Sequence, residues 1–219
     1  MKKIIAFSSS PRKNGNSSIL LKHFLSGFAQ NSTHIDEYDV NEINLKNCRG
    51  CLRCNILGKC SLSGDDWEEI SQKIEEADLL VFASPIYFHH VTAPLKMLID
   101  RFRSFVKVQI TESGLIHTPH HVWKKDFVLL LSMGSSDEMD AKPVIDLFNF
   151  MTSILGGENK LHTISATRLA MSNQLEKSKE ELEVLYPKLK LPLKLAQADY
   201  IRNKELLQNA FAMGNSLSS

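Results

Sequence analysis

The sequence has no surplus of either charge: 26 basic and 25 acidic side chains leave a net charge of +1. A phosphate backbone demands a large basic excess, so polynucleotides are excluded as the main partner. Short basic stretches such as 188–194 read as solvated faces. No run of about 18 apolar residues occurs, so no segment can cross a membrane as a helix. The apolar stretch Ile4 to Phe7 stops after four residues, too short for a secretory signal, and the expected address is cytoplasmic. Internal repeats and linkers are missing too. With 43% hydrophobic and 23% charged residues, the composition is that of an ordinary globular chain, not of a disordered or collagen-like one. At 219 residues such a chain hides roughly 70% of its extended surface, enough for one sizeable core.

What is present alternates. Lys3 to Phe7 is an apolar run ending at Ser8-Ser9-Ser10-Pro11, the pattern of a buried strand and a sharp turn. Residues 16–29 place Ile19, Leu20, Phe24 and Phe28 on one helical face. Thr33 to Val40 reads as a second strand nearer an edge. Ser63-Gly64-Asp65-Asp66 reads as the cap of a helix with Trp67, Ile70, Ile74 and Ala77 inward. Leu79 to Ala83 is a third strand, and Pro94 opens a helix carrying Leu95, Leu98, Ile99 and Phe102. Phe127 to Leu131 is a fourth strand. Pro143 starts a helix with Val144, Leu147, Phe148, Met151 and Leu155, stopped by Gly156-Gly157. Leu161 to Ser165 is a fifth, weaker strand, followed by helical sequence interrupted at Pro187 and Pro192. Five strands alternating with amphipathic helices predict an α/β fold, a doubly wound parallel sheet with right-handed crossovers and helices on both faces.

Such sheets bind ligands at the carboxyl ends of their strands, where strand order reverses. The first loop, from Ser8 to Ser18, has neither G-x-G-x-x-G nor G-K-[ST]. It does concentrate hydroxyls and amides where a helix begins, and free N–H groups there can hold a phosphate. Ser8 opens this loop, Ser10, Asn16, Ser17 and Ser18 are candidate donors, and Arg12 offers a guanidinium fork; the bland alternative is an ordinary turn capped by Asn16 or Ser17. In the flavodoxin-like strand order 2-1-3-4-5, the loops Ser84-Pro85-Ile86-Tyr87-Phe88-His89-His90 and Ser132-Met133-Gly134 share the same rim. Together they suit a flat aromatic cofactor with a single phosphate.

Cysteine is scarce, and all four lie between Cys48 and Cys60 in the spacing C-x2-C-x2-C-x5-C. Cysteines stapling a secreted fold would be scattered; crowded ones read as metal or redox chemistry. Ferredoxin-type runs hold [4Fe–4S] clusters with comparably short spacing, whereas structural zinc usually joins two knuckles across a longer insert. Zinc, reduced thiols and a redox-sensitive patch all stay open on spacing alone. Lys46, Arg49, Arg53 and Lys59 would favour thiolates.

Ser9-Ser10-Pro11-Arg12 through Gly15-Asn16-Ser17, then Ser84-Pro85-Ile86-Tyr87-Phe88, then Leu95-Lys96 with Asp100-Arg101, resemble the NAD(P)H-dependent FMN reductase branch of the flavodoxin-like superfamily. With the cysteines included, the pattern resembles the iron–sulfur flavoproteins within it, over residues 2–165. That resemblance implies FMN as cofactor. The first loop would hold its phosphate, Pro85, Ile86, Tyr87, Phe88 and His89 would line the isoalloxazine ring, and Ser132, Met133 and Gly134 would close the other side. It also implies a [4Fe–4S] cluster on Cys48, Cys51, Cys54 and Cys60, and a homodimer or homotetramer in which electrons pass between cluster and FMN, across a subunit interface. The cysteine segment follows strand two and is expected at the same carboxyl rim as the flavin.

The implied activity is an FMN-dependent oxidoreductase moving electrons between NAD(P)H or ferredoxin and a small acceptor. FMN carries the redox chemistry, so no side chain is obligatory as acid, base or nucleophile. His89 is a weaker candidate for ring contact or proton donation, Tyr87 reads as ring packing, and Asp100-Arg101 reads as structural ion pairing. His117, His120 and His121 read as solvated loop residues in a connection, 104–125, long enough for a lid or an interface. Competing functions are a cluster-free NAD(P)H-dependent FMN or quinone reductase, a flavodoxin-like electron carrier, and a zinc-stabilised binding module. Residues 1–186 read as one FMN-binding domain including the cysteine loop, and 187–219 as a helical extension and candidate oligomerisation arm.

Overall fold

In a computed structural model, residues 1–28 and 33–218 are described. The expected helix start at Asn16 falls within them, but Ala29 at its expected end lies outside. The elements are β1 (Lys2–Ser8), α1 (Asn16–Ser26), β2 (Thr33–Asp39), the short α2 (Cys54–Leu57), α3 (Trp67–Glu76), β3 (Leu79–Pro85) and α4 (Ala93–Arg101). Then come β4 (Val106–Thr111), β5 (Gly114–Pro119), β6 (Asp126–Ser132), α5 (Lys142–Leu155), β7 (Lys160–Ala166), α6 (Lys179–Lys188) and α7 (Leu195–Ser216). Five strands form one parallel sheet in the order β2-β1-β3-β6-β7. With the separate β4-β5 hairpin set aside, that is the expected 2-1-3-4-5.

The period of two along each strand sorts its side chains into two layers. Ile5, Phe7, Leu80, Phe82, Phe127, Leu129 and Leu131 face α3, α4 and α5, where Trp67, Ile70, Leu95, Leu98, Val144 and Phe148 meet them. Ile4, Ala6, Leu79, Val81, Val128 and Leu130 point the other way, against Leu20 and Phe24 of α1 and Ala210 of α7. Strands buried on both faces read as unbroken apolar runs for this reason. β2 lies at the edge and alternates, as its sequence suggests.

The connection 104–125 is largely the antiparallel hairpin β4-β5. Its outer end is apolar and exposed at Ile110, Leu115 and Ile116. At the C-terminus, Pro187 does not interrupt a helix where expected: it sits in the last turn of α6, where one missing N–H costs little. The 186/187 boundary therefore cuts through α6. Beyond Pro192, α7 lies back on α1 of its own chain. The approach is close enough that a Cβ on Gly214 would come within 2.1 Å of the Phe24 carbonyl oxygen, and one on Gly27 within 2.5 Å of that of Phe211. No helix among the described residues is long and apolar enough to cross a membrane.

Candidate functional site

The carboxyl ends of β1, β3 and β6 meet at a cavity of about 220 Å³ lined by Ser10, Arg12, Gly15, Asn16, Pro85, Ile86, Tyr87, Ser132, Met133, Gly134, Leu169 and Ala170. Adjacency of the strands joins the loops: the Ile86 N–H donates to the Ser132 carbonyl at 2.8 Å, and the Met133 N–H to that of Ala166 at 2.8 Å. α1 points its N-terminus here. Its first intrahelical bond runs from the Ile19 N–H to the Gly15 carbonyl at 3.0 Å, so helix geometry leaves the N–H groups of Asn16, Ser17 and Ser18 ahead of it. No side chain caps this end, and no acidic residue lies in its first turn. The Ser17 hydroxyl is buried without any partner. An uncapped, partly positive helix start beside an orphaned hydroxyl fits a phosphate monoester.

Nine of the expected residues therefore line one cavity: Ser10, Arg12, Asn16, Pro85, Ile86, Tyr87, Ser132, Met133 and Gly134. Others do different work. The Asn16 side chain is fully engaged, donating to the Met171 carbonyl at 2.7 Å and accepting from Gln174 and Leu175 N–H groups at 2.9 and 3.2 Å. It offers a ligand its backbone, not its amide. The Ser8 and Ser18 hydroxyls bond each other at 3.0 Å, at the side of the loop. Arg12 donates to the Ala170 carbonyl at 3.0 Å, spanning to the wall after β7. Phe88 and His89 form the tip of a tight turn in which Tyr87 and His90 exchange both backbone hydrogen bonds, at 2.8 and 3.0 Å. Both tip residues have positive φ, 52° and 62°, and Phe88 is fully exposed. Neither lines the cavity; the His89 ring instead faces Asp140 at 3.3 Å.

The sequence reading missed Leu169 and Ala170. They arrive on a loop after β7, held by the Leu169 N–H to the Met133 carbonyl at 2.8 Å and by Asn16. Arg168, at a φ of 55°, makes the turn that brings this loop in, and no residue type in the sequence announces it. Arg168 is clamped by both carboxylate oxygens of the buried Asp199 on α7.

The four cysteines line a second cavity, of about 200 Å³, with Arg101, Arg103 and Ser104 from the end of α4 and the turn beyond it. Gly50 and Leu52, at φ of 62° and 56°, curl the chain between Cys48, Cys51 and Cys54. Cys48 and Cys51 are exposed, Cys60 is intermediate and Cys54 buried. Burial pushes the Cys54 thiol up, with Arg103 opposing. The Cys51 thiol is held below its ordinary value by the Arg53 N–H and the Ser61 hydroxyl. Four soft donors around one cavity, with guanidinium groups beside them, fit an anionic iron–sulfur group. Among the described residues no group of three or more His, Cys, Asp or Glu is placed to hold a metal ion.

Of the loop cations, Arg49 lines the cavity and Arg53 helps to hold the Cys51 thiol down, whereas Lys59 pairs with Glu68 at 3.4 Å and Lys46 donates to the Ser63 carbonyl at 2.6 Å. From outside the loop, Arg101 reaches Cys60 at 3.4 Å and Arg103 reaches Cys54 at 3.5 Å. Contrary to expectation, Asp100 and Arg101 do not pair with each other. Asp100 takes Lys96 at 2.6 Å, and Arg101 takes Asp65 at 2.5 Å. The two cavities have no lining residue in common. Of the loop histidines, His117 meets the edge of Phe150, and His120 has a buried ring nitrogen without a partner.

The sequence profile of the family described as NADPH-dependent FMN reductase matches residues 2–176. The chain belongs to that family of oxidoreductases. An iron-sulfur flavoprotein of Methanocaldococcus jannaschii is 40% identical over 101 residues, 46% of this chain and 52% of the relative. One of Methanosarcina thermophila is 26% identical over 161 residues, 72% of this chain and 78% of the relative. The chain spans about half the length of the first of these. Among solved structures, an NAD(P)H:quinone oxidoreductase from Methanothermobacter marburgensis superposes with a TM-score of 0.64 at 15% identity, covering 100% of this chain and 98% of that one. At that identity the likeness concerns the fold. In this FMN reductase family member the matched region takes in the loops of the first cavity and all four cysteines.

Proposed function

We propose that this chain is an FMN-dependent oxidoreductase of the iron–sulfur flavoprotein type, transferring electrons between NAD(P)H or ferredoxin and a small acceptor. The observation that carries the reading is the uncapped start of α1 and the orphaned Ser17 hydroxyl, set beside the loops after β3 and β6 in one cavity. The family and the names of the relatives support it. FMN, when bound, supplies the electron and hydride chemistry. The chain's own part is positional. Ser17 and the N–H groups of Asn16, Ser17 and Ser18 bind the phosphate, and Arg12 adds a cation. Pro85, Ile86 and Tyr87 wall one side of the ring, and Ser132, Met133 and Gly134 the other.

Cys48, Cys51, Cys54 and Cys60 would hold a [4Fe–4S] cluster, which passes single electrons. Because the flavin and cysteine cavities have no lining residue in common, transfer across a subunit interface is the arrangement we infer, in a homodimer or homotetramer. The exposed apolar tip of the β4-β5 hairpin supports such an assembly. A cluster-free NAD(P)H-dependent reductase is the second reading, favoured by the exposure of Cys48 and Cys51. An anaerobic visible spectrum with iron and sulfide analysis separates them. Flavin bands with a broad shoulder that bleaches on reduction, and about four irons per chain, are expected. Flavin without iron leaves the second reading, and protein that binds no FMN overturns both. A flavin reduced by a protein partner but never by NAD(P)H would mark an electron carrier instead.

A further inference from the structure

We propose that Arg103 and Arg101 are positioning residues for the cysteine site: their guanidinium N–H groups hold the sulfur atoms of the inner pair, Cys54 and Cys60, and raise the reduction potential of the cluster bound there. The inference rests on the cluster reading above. Arg101 is 1% exposed, pairs with Asp65 and donates to the Lys46 carbonyl at 2.8 Å. Its guanidinium lies 5.1 Å from the Trp67 ring, and its Nε has no partner. Burying such a group is costly, and Asp65 neutralises its charge. Arg103 is different. Among the described residues it has no carboxylate partner; it also donates to the Val106 carbonyl at 2.6 Å and the Asn55 Oδ1 at 2.9 Å.

Asn55 is itself fixed. It accepts from the Val108 N–H at 3.0 Å and donates to the Val108 carbonyl at 2.9 Å, as a neighbouring strand would. Arg103 is therefore an uncompensated cation on a rigid mount, aimed at Cys54. A protonated Cys54 can donate to the Arg103 carbonyl, 3.7 Å away, but a thiolate ligand has no proton to give, and the guanidinium is the partner that remains. Cys48 and Cys51 face solvent. Reduction adds one electron and makes or breaks no bond. It makes the cluster more negative, so a fixed cation and N–H donors stabilise the reduced form more than the oxidised one.

The test uses the full chain purified anaerobically with its iron, titrated with a chemical reductant through redox dyes and followed by electron paramagnetic resonance. Arg103→Gln is expected to keep its iron and sulfide and to lower the ratio of reduced to oxidised cluster about tenfold at a fixed poise, a shift of about 59 mV for one electron. The flavin potential should not move. Arg103→Lys, which keeps charge without the fork, should shift less. If Arg103→Gln fails to load, Asn55→Ala, which frees the mount and keeps the cation, should lower the same ratio. A fully loaded Arg103→Gln whose ratio stays within twofold of wild type overturns the proposal alone. An unchanged ratio in Asn55→Ala does the same where Arg103→Gln does not load. Wild-type protein without iron overturns the cluster reading and this inference with it.

Discussion

Ser17 and Gly15 are two residues apart, and replacing them should move the stability of the FMN-free chain in opposite directions. Ser17→Ala removes a buried hydroxyl that has no partner in the protein, so the FMN-free chain should gain about 1 kcal/mol, since an unsatisfied polar group is relieved. The same change deletes a donor to phosphate, and FMN should bind about tenfold more weakly, ~1.4 kcal/mol. Thermal unfolding without FMN and fluorescence titration with it read the two signs; a loss in both would mean the hydroxyl is structural. Gly15→Ala should lose in both. Its Cβ would stand 2.0 Å from the Ser10 Oγ, which bridges the N–H and carbonyl of Arg12, so the loop must shift and FMN affinity should fall at least tenfold. The place of Ser17 at the start of α1 was legible from the hydroxyls crowded there, but not that its hydroxyl would cap nothing. Asn16 was not legible as a clamp. Its partners, Met171, Gln174 and Leu175, lie about 150 residues away, and a local motif carries no sign of them.

The elements of the sheet were legible because strands buried on both faces must be apolar throughout, and each is followed by a helix with one apolar face. The β4-β5 hairpin was not: Val106, Val108 and Ile110 do alternate with Lys107, Gln109 and Thr111, but β5 breaks the pattern at Leu115-Ile116, and the apolar outer end is exposed where a core strand would be covered. The role of α7 was hidden for another reason. Whether an amphipathic C-terminal helix returns to its own chain depends on partners such as Gly214 facing Phe24, and those are matters of packing. Gly214→Ala should push α7 from α1 and cost 1–3 kcal/mol in urea unfolding, as overpacking does; an unchanged midpoint would show the two helices free to separate. Asp199 ties α7 to the cavity through Arg168. Burial works against its charge, but hydrogen bonds from Arg168 and Tyr186, helped by Arg202, hold the carboxyl below its ordinary value of 3.8. A lowered acid contributes stability that is present above the unfolded value and lost as pH falls through the folded one. Acid unfolding should therefore begin below about pH 3.8. Asp199→Asn should remove that part of the acid dependence and about 3–5 kcal/mol at neutral pH, because it leaves two arginines facing a neutral group. It should also weaken FMN binding by loosening Leu169 and Ala170. Urea titrations at pH 6 and pH 3 make the comparison.

At the scale of the whole molecule, the strand order places the first cavity, and the end of α4 lends Arg101 to the second. The sequence made the rim legible once the flavodoxin-like order 2-1-3-4-5 was adopted, since right-handed crossovers alone also allow other doubly wound orders. It could not place the cysteine cavity, whose far wall is Arg101 and Arg103, some forty residues beyond the last cysteine. The separate linings have a measurable consequence. Sites with no shared partners are usually independent within about 0.5 kcal/mol. Within one subunit, stripping iron with a chelator should therefore bleach the cluster absorption and leave FMN affinity within about twofold. Dilution to the monomer tests the other half. If FMN affinity changes tenfold on iron removal in the assembled protein and not in the dilute one, the coupling lies between subunits, where the cysteine loop of one chain meets the flavin of the next. If it changes tenfold in both, the coupling lies within the subunit, and the independence read from the separate linings is wrong.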